Sequence, residues 1–330
     1  MPRVLDPPGF WFRPPTLAAR LLGPIARVYG GRAAERMDRP GAVPPCPVIC
    51  VGNFTLGGAG KTPTAMRLAA LLKDLGARPA VLTRGYGGRL AGPVRVDPAC
   101  QAARDVGDEP LLLARAAPTV VARDRPAGAR LCVAEGADVV VMDDGLQNPS
   151  LRKTLSLAVI DAGRGVGNGL PFPAGPLRAP LARQWPHVHG LVLIGEGAAG
   201  EAMARDAGDR GLPVHRARLV PDAAVPLAGR RVAAFAGIGR PEKFFETLRG
   251  MGADLVHARG FPDHHPYRER DLERLHACAA RADALLVTTE KDWMRLAPAQ
   301  RSRVTAIRVD LCFEDNGPMR ASLAAAIAGR

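Results

Sequence analysis

The stretch "VGNFTLGGAGKTPTAMRLAALL", residues 51–72, constrains the fold more than any other feature of the chain. An apolar strand end runs into a glycine-rich turn, then Lys-Thr, then an amphipathic helix, which is the order of a phosphate-binding loop. Gly57, Gly58 and Gly60 let backbone N–H groups turn inward, and the helix starting near Pro63 adds its positive end. The segment Thr55, Leu56, Gly57, Gly58, Ala59, Gly60, Lys61, Thr62 then wraps a nucleotide's phosphates, with Lys61 on the β and γ phosphates and the Thr62 hydroxyl on Mg²⁺. One position is irregular: Thr55 stands where G-x-x-x-x-G-K-[ST] has its first glycine.

The surrounding pattern supports the loop. Apolar strand-like runs at 47–53, 78–85, 118–123, 138–145 and 155–161 alternate with helical runs near 63–75, 109–117 and 125–136. Strands separated by helices argue for a parallel sheet covered on both faces. Further strands are expected at 190–195, 213–219, 230–239, 254–261, 284–290 and 304–313, with helices over 241–251, 268–281 and 319–328. The expected fold is α/β and P-loop NTPase-like: a mostly parallel sheet flanked by helices, a second smaller α/β lobe, and an N-terminal amphipathic helix. The domains are placed at 1–40 for the N-terminal membrane-associating segment, 41–210 for the nucleotide-binding lobe and 211–330 for the lobe that closes the cleft. That last boundary is soft, because the pattern hardly changes between 180 and 230.

Composition adds less. A net charge of +13 and a pI near 10.3 favour an anionic partner, whether nucleic acid, an acidic membrane or a phosphorylated substrate, or simply reflect an arginine-rich chain. The six cysteines are scattered without a C-x-x-C pair and read as reduced core residues. At the N-terminus, Leu17, Leu21, Ile25 and Val28 recur at helical spacing with Arg20 and Arg27 on another face, and Gly23-Pro24 interrupts the run. It falls far short of the ~20 apolar residues of a spanning helix. With Phe10, Trp11 and Phe12 at its start it suits either a membrane interface or packing across the domain.

Four constellations carry chemistry. In "VVVMDDG" an apolar strand ends on Asp143 and Asp144, where an acid holds magnesium directly or through water. "DVGDEP" puts Asp108 and Glu109 at a helix start, a place acids favour for the dipole alone. "GFPDHHPY" groups Asp263, His264 and His265; one His beside a carboxylate is what activating a hydroxyl requires. "LTRGYGG" and "PAGPLRAP" place Arg84, Tyr86 and Arg178 on loops suited to phosphate or sugar contacts, or to plain turns.

Taken in order, "GNFTLGGAGKTP", "TRGYGG", "GDEP", "DDGLQ", "LPFPAGPLRAP", "GIGRPEKFF", "FPDHHPY" and "VTTEKDW" resemble the tetraacyldisaccharide 4′-kinase family, the lipid A 4′-kinases. The irregular loop, Thr55 included, looks like that family's form. The resemblance implies ATP and Mg²⁺, and transfer of the γ-phosphate to the 4′-hydroxyl of a lipid-linked glucosamine disaccharide 1-phosphate. It also implies work at the cytoplasmic face of a Gram-negative inner membrane, with no nucleic acid partner. It assigns Asp108 as catalytic base partnered by His264, Glu109, Asp143 and Asp144 to metal and substrate, and Arg84, Tyr86 and Arg178 to substrate. Where the family often has Phe and His after the Asp pair, this chain has Leu146 and Asn148.

Two other classes fit less well. A guanine-nucleotide switch commonly carries N-K-x-D, and "TTEKDW" lacks that spacing. A nucleic-acid ATPase needs stacking platforms, and 3 Tyr, 3 Trp and 9 Phe supply few.

Overall fold

The computed structural model describes residues 7–329, so the first six residues of the expected N-terminal segment lie outside the described part. Among the described residues thirteen strands form two sheets. Strands β1 (Val48–Gly52), β2 (Pro79–Thr83), β3 (Val94–Arg95), β4 (Thr119–Val121), β5 (Val139–Asp143), β6 (Leu155–Asp161), β7 (Gly190–Ile194) and β8 (Val214–Pro221) begin the chain. The later strands are β9 (Arg231–Ala236), β10 (Asp254–Gly260), β11 (Leu285–Thr289), β12 (Thr305–Ile307) and β13 (Val309–Phe313).

The larger sheet runs β13-β8-β7-β6-β1-β5-β2-β4-β3, parallel except for its two edges, where β3 meets β4 and β13 meets β8 antiparallel. Its centre is dry on both faces: every residue of β1, "VICVG", is buried. Such a strand needs helices above and below. Among the helices are α1 (Leu17–Met37), α2 (Lys61–Asp74), α3 (Ala103–Val106), α4 (Asp108–Leu113), α5 (Arg125–Ala134), α6 (Leu181–Gln184) and α7 (Ala198–Asp209). From α2, Leu68 and Leu72 pack with Val51, Val141 and Val159 of the sheet. Each such side chain, fully buried, contributes about 1.5–3 kcal/mol.

The smaller sheet, β10-β9-β11-β12, is wholly parallel. Helices α8 (Pro241–Gly250), α9 (Glu269–Arg281), α10 (Glu290–Arg295) and α11 (Pro298–Arg301) accompany it, and α12 (Asn316–Ala328) closes the chain. The single strand expected at 304–313 is in fact two. Thr305–Ile307 edges the small sheet, whereas Val309–Phe313 pairs with β8 in the large one. The chain therefore returns: Met319 and Leu323 of α12 join Leu68 and Leu72 in the first core. The segment 211–330, expected as one lobe, thus supplies β8, β13 and α12 to the large sheet's layers. The two crossings between lobes touch, the Asp222 N–H donating to the Arg308 carbonyl at 3.0 Å.

Helix α1 is continuous, with Pro24 inside it and Thr16 capping its start. Gly23-Pro24 breaks the apolar run in the sequence without breaking the helix. Pro24 is solvent-exposed, so the carbonyl deprived of a helical partner remains open to water. Its small face (Ala19, Ala26, Gly30, Ala33, Ala34) is buried, while Leu17, Leu21, Ile25 and Val28 are 59–73% exposed. Trp11 is not part of that exposed stripe: it is buried, donates from Nε1 to the Pro173 carbonyl at 3.0 Å, and packs edge-on against Phe172. Of the cysteines, Cys50 and Cys132 are core residues and Cys100 is exposed.

Candidate active site

Because β1, β2, β5 and β6 are parallel, their C-terminal ends deliver the loop after β1, the Arg84–Gly88 loop, Asp143 and Asp161 to one edge of the sheet. Strand order reverses beside β1, which is where open α/β sheets bind ligands. Gly60 caps α2 in the left-handed region at φ 91°, and a Cβ there would lie 2.5 Å from Ile194 Cδ1, so only glycine fits. Pro63 falls in the first turn of α2, where a missing N–H costs nothing.

Thr55 has its own explanation. It forms a bridge with Leu177, its carbonyl accepts from Arg178 Nε at 2.9 Å, and the neighbouring Leu56 N–H donates to the Pro176 carbonyl at 2.7 Å. The first half of the loop is held extended against the proline-rich segment, so the position does not need a glycine's freedom. Arg178 also donates to Asp144 Oδ2 at 3.0 Å. It ties the loop to the acid pair.

Lys61 Nζ donates to Asn53 Oδ1 at 3.3 Å and to the Gly57 carbonyl at 3.5 Å, and lies 3.8 Å from Asp144 Oδ1. Asn53 is fully buried, and its carbonyl accepts from Gln147, which is also bonded to Gln184. Asp143 accepts from the Thr83 hydroxyl at 3.5 Å. Burial, with Glu109 and Asp144 nearby, pushes its carboxyl up to about 7. Asp144 sits in the left-handed region at φ 51°. Burial alone would raise it, but Lys61 and Arg178 outweigh that and bring it to about 2. Two neighbouring acids thus have their proton affinities pushed apart by their surroundings.

The second lobe meets α4 through α10. Gly107 leads into α4 with φ 100°, and a Cβ would lie 2.5 Å from the Tyr86 carbonyl, which brings the Tyr86 loop against Asp108. Asp108 is buried and 3.2 Å from His264 Nδ1. Tyr86 packs against the His264 ring at 5.3 Å. Arg295 of α10 grips Asp108 Oδ2 from Nε at 2.6 Å, and donates to Asp292 Oδ1 and the Gly237 carbonyl, each at 2.7 Å. Burial would raise Asp108, yet Lys291, Arg295 and His264 hold it well below the usual carboxylate range. Lys291 donates to Glu109 Oε1 at 3.1 Å, and Arg115 pairs with Glu290. Burial opposes the charge on Lys291, but Glu109, Asp108 and Asp263 keep it protonated.

A family model described as "Tetraacyldisaccharide-1-P 4'-kinase" matches residues 18–328. The chain belongs to the tetraacyldisaccharide-1-P 4′-kinase family. It is 71% identical to the tetraacyldisaccharide 4′-kinase of a strain of Methylorubrum extorquens, over 98% of this chain and 99% of that one. It is 52% identical to that of a strain of Rhodopseudomonas palustris, over 98% and 99%. The fold is similar to that of LpxK from Aquifex aeolicus, solved in complex with ATP, with a TM-score of 0.71, 24% identity and coverage of 94% of this chain and 100% of that one.

Within this 4′-kinase family member, the residues singled out by sequence gather as follows. Lys61 and Arg178 are linked to Asp144 at the loop, with Asp143 in the field of Lys61, and His264 contacts both Asp108 and Tyr86. Glu109 is turned to Lys291. Arg84 is exposed, with no hydrogen bond or ion pair to another described residue. Leu146 is buried directly under Gly52, and Asn148 caps a turn through the Ser150 N–H. Sequence reasoning missed Asn53, Arg125, Gln147, Gln184, Tyr267 and Arg295. Arg125 is buried with Asp143 and Asp144 in its field, and donates to the Ala122 carbonyl at 2.9 Å. Lys291 and Asp292 lay in the quoted "VTTEKDW" without roles.

Proposed function

We propose that the chain transfers the γ-phosphate of ATP to the 4′-hydroxyl of a tetraacyl glucosamine disaccharide 1-phosphate, a step of lipid A biosynthesis. Membership of the family supports the reaction, and the observation that carries the site is the Asp108–His264 pair next to Glu109, whose charge acts on Asp143 of the acid pair beside Lys61. Residues 55–62 cradle the phosphates. Lys61 exchanges its long contacts to Asn53 and Asp144 for the β and γ oxygens, where its charge meets the charge that grows in the transition state. Asp108, oriented with His264, takes the hydroxyl proton, help typically worth ~10²–10⁴-fold. Arg84 and Tyr86 receive the sugar and its phosphate, and Arg178 keeps Asp144 and the loop in register.

The donor set suits Mg²⁺. Asp143 Oδ1 and Asp144 Oδ1 are buried without a hydrogen-bond partner, as oxygens reserved for a hard cation would be. Thr62, Asp143 and Asp144 would hold it, with Glu109 adding charge from α4. When bound, it would supply positive charge that offsets the charge building up on the transferred phosphoryl group.

The lipid substrate gives the exposed stripe of α1 a purpose. No helix among the described residues is long and apolar enough to cross a membrane. Leu17, Leu21, Ile25 and Val28, flanked by exposed Arg20, Arg27, Arg32 and Arg36, suit the cytoplasmic face of an anionic inner membrane. Ile25→Asp is expected to weaken flotation with anionic liposomes and leave ATP binding unchanged; flotation equal to wild type argues against the stripe.

The deciding experiment is γ-³²P transfer from ATP to the purified tetraacyl disaccharide 1-phosphate in detergent, beside Lys61→Ala and Asp108→Ala. Product from wild type alone supports the reading. Lipid-independent hydrolysis without product would move the assignment to a nucleotide switch.

A further inference from the structure

The donors around Asp108 divide unequally between its two oxygens. Arg295 Nε and Nη2 lie on Oδ2 at 2.6 and 2.5 Å, and His264 Nδ1 is 3.2 Å from the same atom. Oδ1 accepts from the Glu109 N–H at 3.0 Å. A carboxylate has about two lone-pair directions per oxygen. Oδ2 is therefore filled, whereas Oδ1 keeps one direction open.

We infer that Arg295 is a positioning residue of the transfer reaction: by filling Oδ2 it makes Oδ1 the atom of Asp108 that receives the sugar hydroxyl's proton. The inference rests on the reading of Asp108 as base. As the sugar oxygen bonds to the γ-phosphorus, its proton passes to Asp108 Oδ1. The bond from that phosphorus to the bridging oxygen breaks, and its electron pair leaves on ADP.

Arg295 is fixed well enough to do this. Its side chain is 7% exposed, and Asp292 beside it is fully buried. Asp292 in turn accepts from the Tyr267 hydroxyl at 2.8 Å, the Gly237 N–H at 3.0 Å and the Thr289 hydroxyl at 2.6 Å. Joining the lobes does not require it, because Lys291–Glu109 and Arg115–Glu290 already bridge α10 and the first lobe. What Arg295 adds is direction. A fork of two N–H groups on a single oxygen sets the rotation of the carboxylate, which one ammonium cannot do.

The test measures kcat and KM for both substrates in full-length wild type, Arg295→Ala, Arg295→Lys, Asp108→Ala and the Arg295→Ala/Asp108→Ala double variant. Arg295→Ala is expected to lose about 10²-fold in kcat with each KM within about threefold of wild type. Millimolar guanidinium should restore part of that loss. The double variant should be no slower than Asp108→Ala, because residues acting as one unit are not additive. Losses that multiply, or an unchanged kcat in Arg295→Ala, overturn the inference. Should Arg295→Ala not fold, Arg295→Lys decides: an intermediate loss of about tenfold at steady KM supports it, and wild-type kcat overturns it. An Asp108→Ala enzyme with wild-type kcat instead defeats the reading of Asp108 as base, whatever the Arg295 variants do.

Discussion

Lys61 and Arg295 come from opposite lobes, and their charges are handled differently. Lys61 rests on three oxygens at 3.3 to 3.8 Å, beside glycines that leave the loop open. Arg295 is clasped at 2.5 to 2.7 Å by Asp108, Asp292 and a carbonyl, inside the protein. Long, weak contacts leave a cation available to an incoming anion. Short buried ones form a unit that is complete before any ligand arrives. The first arrangement stores binding capacity, and the second stores geometry.

Lys61→Ala carries the largest expected effect. Phosphoryl transfer should fall by at least about 10³-fold, more than in Asp108→Ala, with the thermal midpoint held within about 2 °C. A matching drop in the midpoint would break the comparison, since it would make Lys61 part of the protein's own structure. Asp292→Ala should do the reverse. It leaves Arg295, Tyr267 and the Gly237 N–H short of a partner in a buried place, at a cost of about 3 kcal/mol by urea denaturation. A loss under about 1 kcal/mol would show the cluster to be no stiffer than a surface pair. Thr55→Gly sharpens the picture at the small end. It restores the usual loop pattern, yet the bridge to Leu177 asks for an extended residue. Stability should fall by about 0.5–1 kcal/mol and kcat change less than about threefold.

The same contrast explains what was legible in the sequence. A phosphate loop is local: eight consecutive residues, a strand before and a helix after, all fixed by short-range rules. Asp143, at the end of a run of apolar residues, was legible for the same reason. The second centre is assembled from distant pieces, since Asp108 and Arg295 come together only when α10 docks on α4. Nothing in the run "MRLAP" marks Arg295 as different from the many arginines around it. Only the quoted family motifs gave Asp108 and His264 a joint role. Arg125 looked like a helix start and is a buried charge beside the acid pair. The periodic pattern found the strands but not their sheets: one apolar run over 304–313 reads the same whether it belongs to one lobe or two.

The return of the chain through β13 has a mechanical consequence. The small lobe hangs from the large one by two adjacent straps, the segment after β8 and Arg308, joined to each other by a hydrogen bond. A body held by one strap can spin as well as swing. Held by two that touch, it resists torsion, because twisting would wind one strap over the other, while bending flexes both together. Together with the Arg295–Asp108 and Lys291–Glu109 pairs, the two straps fix the small lobe's orientation, so that His264 and Arg295 stay seated against Asp108.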